Sequence, residues 1–377
     1  MVVAPNTSKN IAKAKGAIAT KFPKALLALT VNLIGLWAVG SVNINKAEAV
    51  IVDSQLQANE RADLKSLSPH SLSPNFLFAA KPLSIDRRIS ATLIDSQNKL
   101  WIGTWRGLIQ IDRRTGGAVT SISLPNSTVT ALLEDQRGYF WVGTTSGLYQ
   151  IDPDSGKIEN IAIQLSSSRI LSLAMDRAGF IWVGTDLGIT RISPYNAETY
   201  ARLPNIPGTA ANVMQLDKDG NIWVGTLEGL FKLNPGTAKI ITRIAFVSGQ
   251  IVQTIAIDPS GTVWAGTPRN VIEINPKTNK AIARINPVTG RDIVALASNK
   301  KGELWIGMRD GLVLANTYNG EITSLVNNLP NSTISNLLIR DRQLWIGTEG
   351  GLSKINTTLK ESEIPNATAT VVYKVQK

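Results

Sequence analysis

Leu100-Trp-Ile-Gly-Thr104 is the first of seven copies of one short phrase. The others are Phe140-Trp-Val-Gly-Thr144, Ile181-Trp-Val-Gly-Thr185, Ile222-Trp-Val-Gly-Thr226, Val263-Trp-Ala-Gly-Thr267, Leu304-Trp-Ile-Gly-Met308 and Leu344-Trp-Ile-Gly-Thr348. Their tryptophans stand at 101, 141, 182, 223, 264, 305 and 345, so the spacing is 40 or 41 residues throughout. A fixed period of this length with one aromatic strand per copy signals a β-propeller, each repeat forming one blade. In a repeat fold the shared residues hold the blades together. Function is to be sought where the copies differ.

Working outward from the second copy, each period reads as four short strands. Residues 129–134 are an apolar, strand-like run, and Asp135-Gln-Arg-Gly138 is a turn with Gly where positive φ is wanted. Residues 139–144 form the second strand, Thr145-Ser-Gly147 turns, 148–152 form the third, Pro153-Asp-Ser-Gly156 turns again, and 157–163 supply a fourth. The Asp-x-x-Gly hairpin recurs at Asp176, Asp217 and Asp258, becomes Asn299 in blade six and is one residue shorter in blade seven. The predicted fold is all-β: a seven-bladed propeller of four-stranded antiparallel blades.

The shared residues have structural jobs. The Trp fills the wedge between neighbouring blades. The Gly two residues on lets another backbone approach closely. A second Gly, at 107, 147, 188, 229, 311 and 351, suits a positive-φ turn corner, with Asn270 as a left-handed substitute in blade five.

The flanks read differently. Lys9, Lys13, Lys15, Lys21 and Lys24 precede an apolar run over 25–42, and Ala47-Glu48-Ala49 follows as a small-x-small cleavage site. Residues 1–49 are therefore expected to be a signal peptide, with an uncleaved membrane anchor as the alternative. Residues 50–75 are a Ser/Pro-rich linker, and the propeller spans 76–377. Either 76–84 or 367–375 is expected to complete the last blade and so hide its edges.

Composition removes several classes of function. The chain has 377 residues, no cysteine, and one histidine, His70, which falls in the linker. Disulfide frameworks, thiolate metal sites and thiol nucleophiles are excluded, as are Ser-His-Asp and Cys-His machinery. Net charge is +11, but the first 49 residues hold six Lys and one Glu, which leaves +6 for the rest. That is too diffuse to argue for nucleic acid. Asp217, Asp219, Asn221 and Glu228 match four positions of a calcium-loop template, yet Ile222 stands where the template needs Gly and the repeat makes a strand there. No cofactor and no metal is expected.

The Asp-x-x-Gly hairpin, the aliphatic-Trp-aliphatic-Gly-Thr strand and the x-x-Gly-Leu turn resemble the two-component regulator propeller repeat. Asp135 through Asp152 carries the full pattern, and the copies cover about 76–360. The resemblance implies a seven-bladed propeller. It also implies kinship with the extracytoplasmic sensing half of hybrid sensor kinases, a family often associated with recognising carbohydrates. This sequence shows no kinase module or receiver after its repeats, so the reading is a stand-alone exported propeller. The streptogramin-lyase group is similar in repeat length and in its glycine-aromatic strands. Its chemistry uses histidine with a metal, and no histidine lies within these repeats. Asp152-Pro-Asp-Ser-Gly-Lys157 is similar to part of a quinoprotein repeat, but the tryptophan falls on the wrong side of it.

The informative positions are the two residues after each Trp-x-Gly-Thr. They are Trp105-Arg106, Thr145-Ser146, Asp186-Leu187, Leu227-Glu228, Pro268-Arg269, Arg309-Asp310 and Glu349-Gly350. All seven turns point to one face of a propeller, as do the connections into each first strand, which bring Arg88, Thr128, Arg169, Asp292 and Thr333. The candidate ligand-binding residues are Trp105, Arg106, Arg169, Asp186, Glu228, Arg269, Arg309, Asp310 and Glu349. Arg supplies fork donors for carboxylates, and Trp offers a stacking platform. Ordinary solvated hairpin charge is the competing reading.

The expected protein is an exported, monomeric, non-catalytic recognition module of the periplasm or extracellular space. It binds an unknown protein or carbohydrate ligand and no nucleic acid, and it meets the membrane only through an uncleaved N-terminal segment. A lyase-like enzyme and an envelope interaction scaffold are the alternatives.

Overall fold

A computed structural model of the chain describes residues 77–79, 88–124, 126–161, 165–285 and 292–357. The signal-peptide and linker readings and the strand proposed over 367–375 lie outside the described residues. What is described is a ring of seven antiparallel sheets in chain order. Blade two shows the pattern, with strands Val129–Glu134, Phe140–Thr144, Leu148–Ile151 and Ile158–Asn160. Blades one to five are four-stranded meanders.

Two blades depart from four strands. Leu77–Ala79 adds a fifth strand to blade six, parallel to Ile322–Asn327. It therefore does not complete blade seven, as the reading of 76–84 allowed. Among the described residues blade seven has three strands, Ile334–Arg340, Gln343–Thr348 and Gly351–Asn356.

Seven apolar clusters hold the ring together, and each spans a blade junction. Trp101 of blade one packs with Val129, Phe140 and Val142 of blade two. Trp182 packs with Met214, Ile222 and Val224 of blade four. The series closes where Trp345 of blade seven meets Ile89, Leu100 and Ile102 of blade one. All seven rings are buried. Each therefore contributes its whole apolar surface to an interface rather than to its own sheet.

The Gly two residues after each Trp serves the same junction. A Cβ on Gly143 would stand 2.5 Å from Cγ2 of Ile170, and one on Gly103 2.5 Å from Cγ1 of Val129. At these two positions the close neighbour is a β-branched side chain from the next blade, whereas at Gly184 the backbone carbonyl of Ala211 in the next blade comes within 2.9 Å of that point, the backbone approach that the sequence suggested. Near the ring centre, Ser90 donates to the carbonyl of Val129, Thr130 to Ile170 (2.8 Å), Ser172 to Ala211 (2.7 Å), and Ser335 to Ile89. Each bond crosses a blade junction and satisfies a carbonyl in the interior. The last one joins blade seven to blade one.

Candidate ligand-binding face

In a four-stranded meander the first-to-second and third-to-fourth turns share one end of the blade. The second-to-third turn and the connection to the next blade share the other. Backbone bonds confirm that pairing. Leu124 N–H donates to Arg106 (2.9 Å), Thr145 to Thr128 (3.0 Å), Gly249 to Glu228 (2.9 Å) and Asp292 to Pro268 (2.8 Å). These four variable turns are thus seated on inter-blade connections, and the meander puts all seven on one face.

The Thr that ends the shared phrase fixes these turns. Thr104 Oγ1 donates to the carbonyl of Gly107 (3.1 Å) and accepts from the N–H of Arg106 (3.1 Å). Thr185, Thr226, Thr267 and Thr348 do the same. The clamp holds the backbone and leaves most of the variable side chains exposed, Asp186 and Pro268 being half-buried. Gly107 completes it at φ 126°, where a Cβ would fall 2.1 Å from the carbonyl oxygen of Ile122. Blade five manages without Gly. Asn270 does not take positive φ, contrary to the sequence reading, and its N–H bonds to Thr267 Oγ1 instead (3.0 Å).

The candidate residues occupy the face as a set. Trp105 is 44 % exposed, with the guanidinium of Arg106 4.3 Å from its ring centroid. Arg309 bonds through Nε to Asp292, so these two are brought together. Arg169, Glu228, Arg269, Asp310 and Glu349 are exposed on separate blades. Asp186 is half-buried, and its Oδ1 is enclosed without a hydrogen-bond partner.

Reading the face as mixed charge missed an apolar arc. Leu187 (55 % exposed), Leu227 (46 %), Phe246 (44 %) and Ile251 (39 %) lie on successive turns and connections of blades three to five. Phe246 belongs to a 3-10 turn, Ala245–Val247, in the connection after blade four, and Arg284 stacks on its ring at 4.4 Å. Leu187 and Leu227 were visible in the variable pairs. Phe246 and Ile251 sit in a connection of different length from its counterparts, so the repeat period did not mark them.

On the opposite face the turn aspartates are consumed by hydrogen bonds. Asp217 Oδ1 accepts from the N–H groups of Asp219 (2.9 Å) and Asn221 (2.8 Å), and Oδ2 accepts from Trp223 and Lys232. Those bonds account for the calcium-loop coincidence. Asp152 and Ser155 close an ordinary turn in the quinoprotein-like stretch. Among the described residues no group of three or more His, Asp or Glu gathers as a metal site. No helix there is long and apolar enough to cross a membrane.

Three of the repeats match the family model described as "Two component regulator propeller", over 123–146, 164–186 and 205–228. The resemblance read from the hairpin and tryptophan pattern therefore holds. No curated protein matches the chain. Solved structures do. The extracellular domain of the putative one component system BT4673 from B. thetaiotaomicron is 20% identical over 73% of this chain, with a TM-score of 0.65. That of the putative hybrid two component system BT3049 from the same organism is also 20% identical over 73%, with a TM-score of 0.62. This chain spans 40% of each of these ectodomains. A catalytically inactive histidine-to-alanine variant of virginiamycin B lyase from Staphylococcus aureus, with quinupristin, is 15% identical. There 73% of this chain covers 97% of the lyase, with a TM-score of 0.63. At these identities the likeness is one of fold.

Proposed function

We propose that the chain is an exported, non-catalytic recognition module that captures a protein partner or ligand on the face carrying the variable turns. One observation carries the reading. Every residue shared by the repeats is spent on packing or turn closure, whereas the variable pairs are clamped by backbone bonds with most of their side chains exposed. A stacked Trp–Arg pair, further exposed Arg side chains and an arc of exposed Leu, Phe and Ile have the composition of a recognition surface. The enclosed, unpartnered Oδ1 of Asp186 is an acceptor that an incoming N–H or O–H would satisfy. Export is supported by the basic and apolar N-terminal residues and by the fold shared with extracellular sensor domains.

The lyase alternative shares the fold as well. The absence of histidine from 88–357 weighs against it, since the usual near-neutral base is missing.

The test is a four-residue variant, Trp105→Ala with Arg106→Ala, Arg269→Ala and Arg309→Ala, used to pull down partners from envelope extract. The control removes three cations from the other face: Lys218→Ala, Lys239→Ala and Lys277→Ala. Loss of the partner only in the first variant supports the assignment. Loss only in the control overturns it. If neither matters, the blade rims and the scaffold alternative take its place.

A further inference from the structure

Two clefts flank one hairpin on the face opposite the variable turns. Blade seven joins Ile334–Arg340 to Gln343–Thr348 through Asp341 and Arg342 alone, both at positive φ (51° and 63°). A cleft of about 900 Å³ lies between this hairpin and blade one, and another of about 810 Å³ lies between it and blade six. The first is lined by Lys99, Arg113, Arg114 and Lys354, the second by Lys300, Lys301, Arg340 and Arg342.

Two carboxylates, Asp112 and Asp341, stand among these eight cations, and both are engaged. Asp112 accepts from the N–H groups of Arg114 (2.7 Å) and Thr115 (3.0 Å). Asp341 pairs with Arg113 at 3.2 Å. Lys99 pairs with Asp154 at 3.4 Å, and the charge of Arg114 acts on Asp112. Lys300, Arg340 and Arg342 are exposed, and among the described residues no carboxylate forms a salt bridge with them. Arg113 Nε is enclosed without a hydrogen-bond partner.

The imbalance has a sequence origin. Blades one to five carry Asp six residues before the Trp, at 95, 135, 176, 217 and 258. Blade six has Asn299 in that place, and in the shortened turn of blade seven the strand pairing puts Arg340 there. Two successive blades lack the carboxylate at that position, which leaves the cations of this sector with fewer partners.

We propose that this sector binds an acidic polysaccharide, a chain of uronate sugars. Arg and Lys match its carboxylates. The amide oxygens of Asn98 and Gln343 accept from Arg113, which leaves their N–H groups as donors to its hydroxyls in the first cleft, and Gln110 adds a further amide there. Among the described residues no aromatic side chain lines either cleft, so none of them stacks nucleic-acid bases there. Among the described residues Val119 is the one large apolar side chain exposed at the clefts, too little to anchor a membrane. The clefts lie on either side of one hairpin, so the ligand contacts both through successive sugars. The site is separate from the face of variable turns and does not depend on it.

The experiment measures binding of polygalacturonate oligomers by calorimetry. Controls are neutral dextran, single-stranded poly(dT) and phosphatidylglycerol vesicles. The sector variant is Arg114→Gln, Lys300→Gln, Arg340→Gln and Arg342→Asn, the last chosen because Asn tolerates positive φ. The charge control is Arg106→Gln, Arg269→Gln and Arg309→Gln on the other face. The expected result is polygalacturonate binding weakened at least tenfold in the sector variant and unchanged in the charge control. Circular dichroism melts verify that both variants keep their fold. Absence of binding to the parent protein overturns the proposal, as does equal weakening in both variants. Equal or tighter binding of poly(dT) or vesicles also overturns it, because charge alone then suffices.

Discussion

Asp217 Oδ2 lies 3.0 Å from the indole Nε1 of Trp223, six residues later, and accepts its N–H inside a blade. Lys232, opposite Trp223 on the third strand, reaches the same oxygen at 3.3 Å and lies 5.2 Å from the Trp ring centroid. Arg191 does likewise with Asp176 and Trp182 in blade three. The hairpin Asp thus ties together a turn, an interface aromatic and a cation from the neighbouring strand. Breaking one partner of such a buried set leaves the others uncompensated.

Asp217→Ala is accordingly expected to cost about 3–5 kcal/mol in urea unfolding, because it strands both an indole N–H and an ammonium. The double variant Asp217→Asn with Lys232→Met is expected to cost less than Asp217→Ala, since no unpaired charge remains. Equal losses would show that the ion pair contributes nothing beyond its hydrogen bonds.

The pair also predicts an acid response. Burial by itself raises the Asp217 pKa, but bonds from Asn221 N–H and Trp223, together with Lys232, outweigh it and hold the carboxyl below its usual range. A depressed folded value means the contribution is complete above the unfolded pKa of about 3.9 and is lost as pH falls through the folded value. Urea midpoints recorded from pH 6 down to pH 2.5 should fall more steeply for the parent than for Asp217→Asn.

Blade five offers the converse. Glu273 pairs across the strands with Trp264, the place that Lys232 holds in blade four. Burial, and then the negative charge of Asp258, raise its pKa. The Trp264 Nε1 has no partner. Because the folded value is raised, Glu273 costs stability once pH passes above its unfolded value of about 4.3. Glu273→Lys, which restores the arrangement of blade four, is expected to stabilise at pH 7 by about 1–2 kcal/mol, and Glu273→Gln by less. Thermal melts at pH 4 and pH 7 distinguish the cases: the gain from Gln should vanish at pH 4.

The fold was legible because its signal is repeated. Seven tryptophans at one spacing specify blade number, and the glycine turns specify which ends of the strands meet. The partnership of Asp217 with Lys232 was less visible. In blades three to five the Asp-to-Trp spacing is constant, but the third member changes from Arg191 to Lys232 to Glu273. The parallel strand Leu77–Ala79 carries no repeat signature, so only its pairing with Leu325–Asn327 reveals which blade it joins. On the candidate face the charged residues were legible by register. Phe246 and Ile251 were not, because a connection whose length is its own has no register to read.

Two tryptophans separate structure from surface. Trp182 is fully buried in the junction between blades three and four, whereas Trp105 projects from a turn. Trp182→Ala is expected to cost about 3–5 kcal/mol. Trp105→Ala is expected to cost less than about 1 kcal/mol. Urea melts that show equal losses would mean that the Trp105 ring is packed into the fold and is not presented for binding.

The apolar arc distinguishes a protein partner from a small ligand. Gly249 N–H bonds to the carbonyl of Glu228, which places the connection bearing Phe246 and Ile251 against the turn bearing Leu227. Exposed large apolar side chains on adjoining loops mark protein interfaces more often than sugar sites. The variant Leu227→Ser, Phe246→Ser and Ile251→Ser should leave stability within about 1.5 kcal/mol, since three exposed changes contribute roughly 0.5 each. It should abolish recovery of a protein partner from envelope extract while leaving any glycan-array signal of the parent unchanged. If the serine variant still recovers the partner and only the Trp105 and Arg106 substitutions lose it, recognition is centred on blade one and the arc is ordinary exposed surface.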